Sequence, residues 1–319
     1  MILTVTLNAA MDKTLEVPSF TPGRRHRTVD QATMPGGKGV NIARAIKRLG
    51  QPVIATGLAG GATGTRIVEA LNDESILNDF VRIQDESRTN TAVLDPTTGL
   101  HTEINERGPA VTAQELQLFR EKLLYLAKGA SIVVFAGSLP RGVEQDVYSS
   151  LIREVSRLGA TTIIDSDGEP LRLSMRAEPD LVTPNEIEAE ELVGHEFNDA
   201  DDRAQAVVEM TRLGAREAIM TVADGCYARI LEDGSPTLYR VRIAEQEARS
   251  AVGSGDAFLA GYVAARYAGR TPIDCLRFGV GCGAESTNHF GAGIIDPSRV
   301  DRLLGEIDWA RLEMGAQIG

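Results

Sequence analysis

Segments with a strand's two-residue period alternate with segments of helical period along most of the chain, and that rhythm points to an α/β protein with a mostly parallel sheet. Ile2–Leu7 reads as a strand and Val40–Leu49 as a helix, and Val53–Leu58 and Thr65–Leu71 repeat the pair. Thr112 and Glu115 form a capping-box pattern ahead of Leu116, Phe119, Leu123 and Leu126, which predicts a helix over 112–128 before a strand at Ser131–Phe135. Thr161–Asp165, Leu181–Val182 and Ala218–Val222 read as further strands. Helices are expected to begin near Ser254, Thr271 and Asp296, the last two because each supplies a capping side chain followed by proline.

Two stretches break the rhythm, at about residues 13–34 and 88–106. Within the second, Thr91–Leu94 and Leu100–Ile104 look like short antiparallel strands. They need a surface to pack on, and a small β-sheet lying over the edge of the main sheet supplies one. With no repeat or low-complexity linker visible, residues 1–319 are read as one domain carrying these two inserted segments.

Composition narrows the function. Apolar residues make up 43% and charged residues 24% of the chain, which fits a globular fold, and apolar runs such as Ile132–Ala136 are far too short to span a bilayer. The first eight residues read as a strand, and Cys226, Cys275 and Cys282 lack metal-ligand spacing, so a cytoplasmic protein with reduced, buried thiols is expected. His26, His101, His195 and His289 are too scattered to suggest a metal site. A net charge of −12 argues against nucleic-acid and anionic-membrane partners. Residues 24–48 run against that balance, with Arg24, Arg25, Arg27, Lys38, Arg44, Lys47 and Arg48 facing only Asp30. Arg44, Lys47 and Arg48 are expected on solvated faces near a helix end, leaving the other four to serve an anionic ligand.

Two glycine turns feed helices. Residues 250–261 (Ser-Ala-Val-Gly-Ser-Gly-Asp-Ala-Phe-Leu-Ala-Gly) put Asp256 directly behind Gly253, Ser254 and Gly255, where backbone N–H groups and the helix dipole favour an anion. A carboxylate there can deprotonate an alcohol beside a phosphate, although a lone motif of this kind is more often an ordinary helix start. Residues 35–45 (Pro-Gly-Gly-Lys-Gly-Val-Asn-Ile-Ala-Arg-Ala) form the second turn. Neither has the spacing of a P-loop or a dinucleotide fingerprint.

In sequence and chain order the pair resembles the PfkB family of carbohydrate kinases. The likeness extends over nearly the whole chain, through Thr6-Leu7-Asn8 with Asp12, residues 60–64, Ser87–Asn90, Gly137–Pro140, Asp165–Glu169 and Pro184–Glu188. It implies the ribokinase-like three-layer α/β fold, with the inserted strands as a lid that often pairs with a second subunit's lid, and so a homodimer. It also implies ATP and Mg²⁺. Within the family the sugar-phosphate branch is most similar, so the implied reaction is phosphorylation of a ketohexose phosphate, 1-phosphofructokinase first, with tagatose-6-phosphate kinase and 6-phosphofructokinase as alternatives.

The resemblance assigns roles residue by residue. Asp256 is the general base and the Gly253–Asp256 turn holds the transferred group. Asp12, Gly37 and Asn41 resemble the residues that bind sugar hydroxyls, while Arg88 and Lys38, with Arg27 a weaker candidate, resemble those that reach the substrate's phosphate. Asn185, Thr221, Gly225 and Gly255 fall on the nucleotide side. Glu188, three residues after Asn185, matches an element associated with magnesium, held through water rather than bound directly.

Departures from the family pattern are Thr183 where many relatives have lysine, a short or glycine-depleted loop at Thr221–Gly225, Ala9-Ala10-Met11 before Asp12, and Arg141 after Pro140. Arg141 is expected on the surface. The unusual 221–225 loop leaves a non-catalytic sugar-phosphate sensor as the rival of another class.

Overall fold

The structure is a computed structural model that describes residues 1–244 and 252–313. Its elements run β1 (Ile2–Thr6), β2 (Ala10–Glu16), β3 (Asp30–Gly36), α1 (Lys38–Arg48), β4 (Val53–Gly60), α2 (Gly61–Asp73), β5 (Leu77–Ile83), β6 (Arg88–Leu94) and β7 (His101–Asn105). The middle of the chain continues through α3 (Ala113–Ala127), β8 (Ile132–Ala136), α4 (Val147–Ser156), β9 (Thr161–Asp165), α5 (Gly168–Ser174), β10 (Leu181–Val182), α6 (Glu186–Val193) and α7 (Ala200–Arg212). It closes with β11 (Glu217–Val222), β12 (Gly225–Glu232), β13 (Ser235–Arg242), α8 (Ser254–Tyr267), α9 (Pro272–Ser286), α10 (Pro297–Leu303) and β14 (Asp308–Leu312).

Ten strands form one sheet in the order β14-β13-β12-β11-β10-β9-β8-β1-β4-β5. The run from β11 to β5 is parallel, and β12, β13 and β14 add an antiparallel edge. Successive side chains of the inner strands enter opposite cores: Ile132, Val134 and Ala136 join one, Val133 and Phe135 the other. One core packs α1, α2, α8 and α9 against the sheet, and the second packs α3, α4 and α7. Helices on both faces explain why the inner strands read as nearly continuous apolar runs.

A separate sheet in the order β3-β2-β6-β7 is the lid. The expected segments overlap its strands, but β2 begins at Ala10 and β3 ends at Gly36, so Asp12 lies on a lid strand rather than before it. Residues 17–29 carry no regular element and expose Arg24, Arg25 and Arg27.

Several elements had no counterpart in the sequence reading: α4, α5, α7, β5, β14 and the hairpin β12–β13. The hairpin turns at Asp233-Gly234, with φ of 51° and 79°, an Asp-Gly signal that sequence alone carries. One assignment is overturned. Arg44 is not solvated; it is 3% exposed, because Glu74 and the carbonyl of Ala292 meet its guanidinium inside the protein.

Candidate active site

The order of the sheet fixes where a ligand can enter. From β1 the chain proceeds outward through β4 and β5, then returns to place β8 on the other side of β1, so the crossovers diverge between β1 and β8. A crevice opens at the carboxyl ends of strands at such a point. Here it is a cleft of about 260 Å³, floored by Thr6 at the end of β1, Asn8 after it, and Gly137 and Ser138 after β8, and covered by Asp12, Asn90 and Glu103 from the lid.

Asp256 enters this cleft from the first turn of α8. Gly253 caps the helix at φ 78°, and a side chain there would meet Ala292, so the turn can lie flat against the 291–293 loop only with glycine. Gly255 faces open space. Ser250 and Ala251, the start of this motif, lie outside the described residues. The Asp256 carboxylate is 7% exposed and accepts a 2.9 Å hydrogen bond from Asn41 Nδ2 on α1. Burial raises its pKa most, the facing carboxylates of Asp165 and Asp12 add to that, and Lys38 and Asn41 oppose it, leaving it pushed up to about 7. A carboxylate in that range is ionised enough near neutrality to take a proton and basic enough to hold it.

Lys38 opens α1 and reaches across the cleft floor. Its Nζ lies 2.7 Å from Asp165 Oδ1, at the end of β9, and 3.3 Å from Glu188 Oε1. Burial disfavours the ammonium, yet Asp165, Glu188 and Asp256 outweigh it and raise the lysine pKa above its ordinary value. Glu188 also completes a capping box, since its backbone N–H donates to Asn185 Oδ1 while its own carboxylate accepts from the Asn185 N–H. One side chain therefore serves both the helix cap and the cleft.

On the lid side Asn90 Nδ2 donates to Asp12 Oδ1 at 2.9 Å. Burial raises the Asp12 pKa, against the pull of Asn90 and Arg88. Arg88 lines the cleft and is steadied by the backbone carbonyls of Asn8 and Glu106, each at 3.1 Å. Four buried polar atoms around the cleft have no protein partner: Thr6 Oγ1, Asn8 Oδ1, Asn41 Oδ1 and Asn90 Oδ1. Buried polar groups are rarely left so; of these, Thr6 Oγ1 lies against Gly39 and Asn8 Oδ1 against Gly108.

The comparisons with known proteins agree with this geometry. The profile of the pfkB family carbohydrate kinases matches residues 4–299. The chain belongs to the PfkB family. It is 31% identical over 286 residues to a 1-phosphofructokinase of Borreliella burgdorferi, covering 90% of this chain and 91% of that one. Phosphofructokinase-2 from Escherichia coli, in complex with substrates and products, superposes with a TM-score of 0.88 at 29% identity, covering 95% of this chain and 98% of that one. Arabidopsis thaliana ribokinase, complexed with ribose and ATP, superposes at 0.74 and 22% identity over 95% of this chain and 98% of that one, which shows the ribokinase-like fold.

Within this PfkB kinase, Asp12, Gly37, Lys38, Asn41, Arg88 and Asp256 converge on one cleft. Asn185 and Thr221 form a second group, bridged to each other at the carboxyl ends of β10 and β11. Gly225 opens β12, where a side chain would collide with the carbonyl of Val241, so packing of β13 alone requires glycine there. Arg27 is exposed and does not line the cleft; with Arg24 and Arg25 on the same loop and Arg44 in the core, the basic surplus of 24–48 is dispersed rather than gathered. Arg141 pairs with Asp85 at the surface.

Sequence reasoning gave no individual role to Asn8, Asn90, Glu103, Asp165 or Asp167. Asn8 and Asp165 could have been found from their place at the carboxyl ends of β1 and β9. Glu103 had no such signal, because its facing depends on the register of β6 with β7.

Proposed function

We propose that this PfkB kinase transfers the γ-phosphoryl group of ATP to the free primary hydroxyl of fructose 1-phosphate, giving fructose 1,6-bisphosphate, in the cytoplasm. The observation that carries the reading is the buried Asp256, bonded to Asn41 in the same cleft as Arg88 and Lys38. The 31% identity to a 1-phosphofructokinase supports the choice of substrate.

In this mechanism Asn41 and Asp12 hold sugar hydroxyls and Arg88 grips the existing phosphate, to which a guanidinium can donate two parallel bonds. Asp256 removes the proton of the reacting hydroxyl as its oxygen bonds to the γ-phosphorus and the bond to ADP breaks. The backbone N–H groups of the Gly253–Asp256 turn face the charge on the transferred group, aided by the α8 dipole. Lys38, fixed between Asp165 and Glu188, adds a cation on the same side. Asn185 and Thr221, brought together at the next strand ends, are the candidates for the nucleotide side.

Asp165 and Glu188 are bridged by Lys38, so they would meet through water, rather than bind directly, an ion that keeps most of its own water, as Mg²⁺ does. Among the described residues no group of three or more His, Cys, Asp or Glu could hold a metal, so the triphosphate would supply the remaining ligands. When bound, Mg²⁺ neutralises phosphate charge. The lid exposes Leu100 just before its edge strand β7 and Ile104 within it, and an unpaired strand edge carrying an exposed apolar side chain favours association, which supports a homodimer through the lid.

The deciding experiment measures ATP turnover with fructose 1-phosphate, fructose 6-phosphate, tagatose 6-phosphate and free fructose at equal concentration. The highest kcat/KM is expected with fructose 1-phosphate. Preference for another ester would move the assignment to the corresponding sugar-phosphate kinase, equal use of free fructose would abandon the phosphate, and no turnover with any of them would favour a sensor.

A further inference from the structure

Arg44 is the most fully engaged arginine near the cleft, yet it touches no part of the space a substrate would fill. Its Nε lies 2.9 Å from both Glu74 carboxylate oxygens and its Nη2 2.7 Å from Oε1. Its Nη1 donates to the carbonyl of Ala292 at 2.8 Å. Glu74 sits at the C-terminal cap of α2, where a carboxylate opposes the helix dipole, so its placement does not serve α2. It serves the guanidinium.

The loop that Arg44 holds is the one that backs the anion turn. Gly293, at φ 74°, lets the loop lie on α1: a side chain there would come within 3.1 Å of Arg44 Nη1 and 3.2 Å of the Asn41 carbonyl. On its other side, Ala292 fills the place a Gly253 side chain would take. Helix α1 therefore reaches the base twice, directly from Asn41 to Asp256 and indirectly from Arg44 through Ala292 to the Gly253 turn.

We propose that Arg44, anchored by Glu74, is a positioning residue that holds the 291–293 loop against the Gly253–Asp256 turn and so sets the geometry and burial of Asp256. The inference rests on Asp256 being the base of the proposed reaction. It predicts that loosening the pair acts on kcat and on the base's titration more than on sugar-phosphate binding: Gly291 and Ala292 of the loop line the cleft, but the phosphate contact of Arg88 and the hydroxyl contact of Asp12 come from the lid, which Arg44 does not hold.

The test uses the full chain and the phosphate ester that wild type turns over best. Arg44→Lys keeps the charge, but a lysine cannot span Glu74 and Ala292 together. A small displacement of a reacting group costs on the order of 10–100-fold in rate. That loss is expected in kcat, with KM for the ester within about twofold of wild type. The acid limb of the pH profile should move to lower pH as water reaches Asp256. Glu74→Gln, a milder change, should move kcat and the limb the same way by less. Amide hydrogen exchange at 253–256 should be faster in both variants, a readout that stands even if wild type phosphorylates none of the sugars and the functional reading fails. Unchanged kcat, limb and exchange alongside a lower Tm would make Arg44 a packing residue only, and a rise in KM at constant kcat would also overturn the proposal. If Arg44→Lys does not fold, Glu74→Gln decides: reduced kcat with faster exchange supports the proposal, and wild-type values reject it.

Discussion

Asn41 Nδ2 and Asp256 Oδ2 are 2.9 Å apart although 215 residues separate them in the chain. The bond orients one carboxylate oxygen and leaves the other free for the cleft. It joins the two glycine-turn helices, α1 and α8, at the point where chemistry is proposed.

Replacing Asp256 by Asn should lower turnover by about 10²–10⁴-fold, the loss expected for a positioned base. The fold should gain stability above neutral pH. With a folded pKa of about 7 against an ordinary 3.8, the native state binds the proton more tightly, so wild type loses stability as pH rises from about 4 through 7. The variant lacks that loss, and its advantage at pH 8 should reach at most about 4 kcal/mol. Denaturant melts at pH 5 and pH 8 check this; an advantage no larger at pH 8 than at pH 5 contradicts the buried, raised carboxylate.

The same titration should govern activity. Because the base must be ionised, kcat/KM is expected to rise with pH and level off above an acid limb near 7. Lys38→Met removes a cation that favours the carboxylate, so the limb should shift upward. A limb that moves downward, or stays fixed, would place the titrating group elsewhere.

Arg88→Ala should raise KM for the sugar phosphate roughly ten- to a hundredfold, the equivalent of losing a charge-assisted contact worth about 1.5–3 kcal/mol. KM for ATP should change little, because the role proposed for Arg88 is a contact with the sugar's own phosphate and not with the nucleotide. An equal effect on both substrates would assign it to general electrostatics.

Leu100, just before the lid's edge strand β7, and Ile104, within it, are 68% and 62% exposed. Ile104→Asp should convert a dimer into a monomer, read by sizing at several concentrations. A wild-type monomer at all concentrations would remove the lid-mediated pairing.

The sequence by itself determined the α/β class, the lid segments, the two glycine turns and the buried thiols, because each depends on local period, turn chemistry or composition. Thr112 with Glu115 and Asn185 with Glu188 were legible as caps for the same reason, since a capping box spans one turn. Tertiary structure alone decided what those parts face. It took Arg44 into the core against Glu74, left Arg27 on an exposed loop, fixed Lys38 between Asp165 and Glu188, and brought Glu103 over the cleft. Local sequence gives a residue's place in its own helix or strand, but the direction of a side chain into a shared cleft depends on sheet order and strand register. Those are set by burial of both faces of the sheet at once, a property of the whole chain.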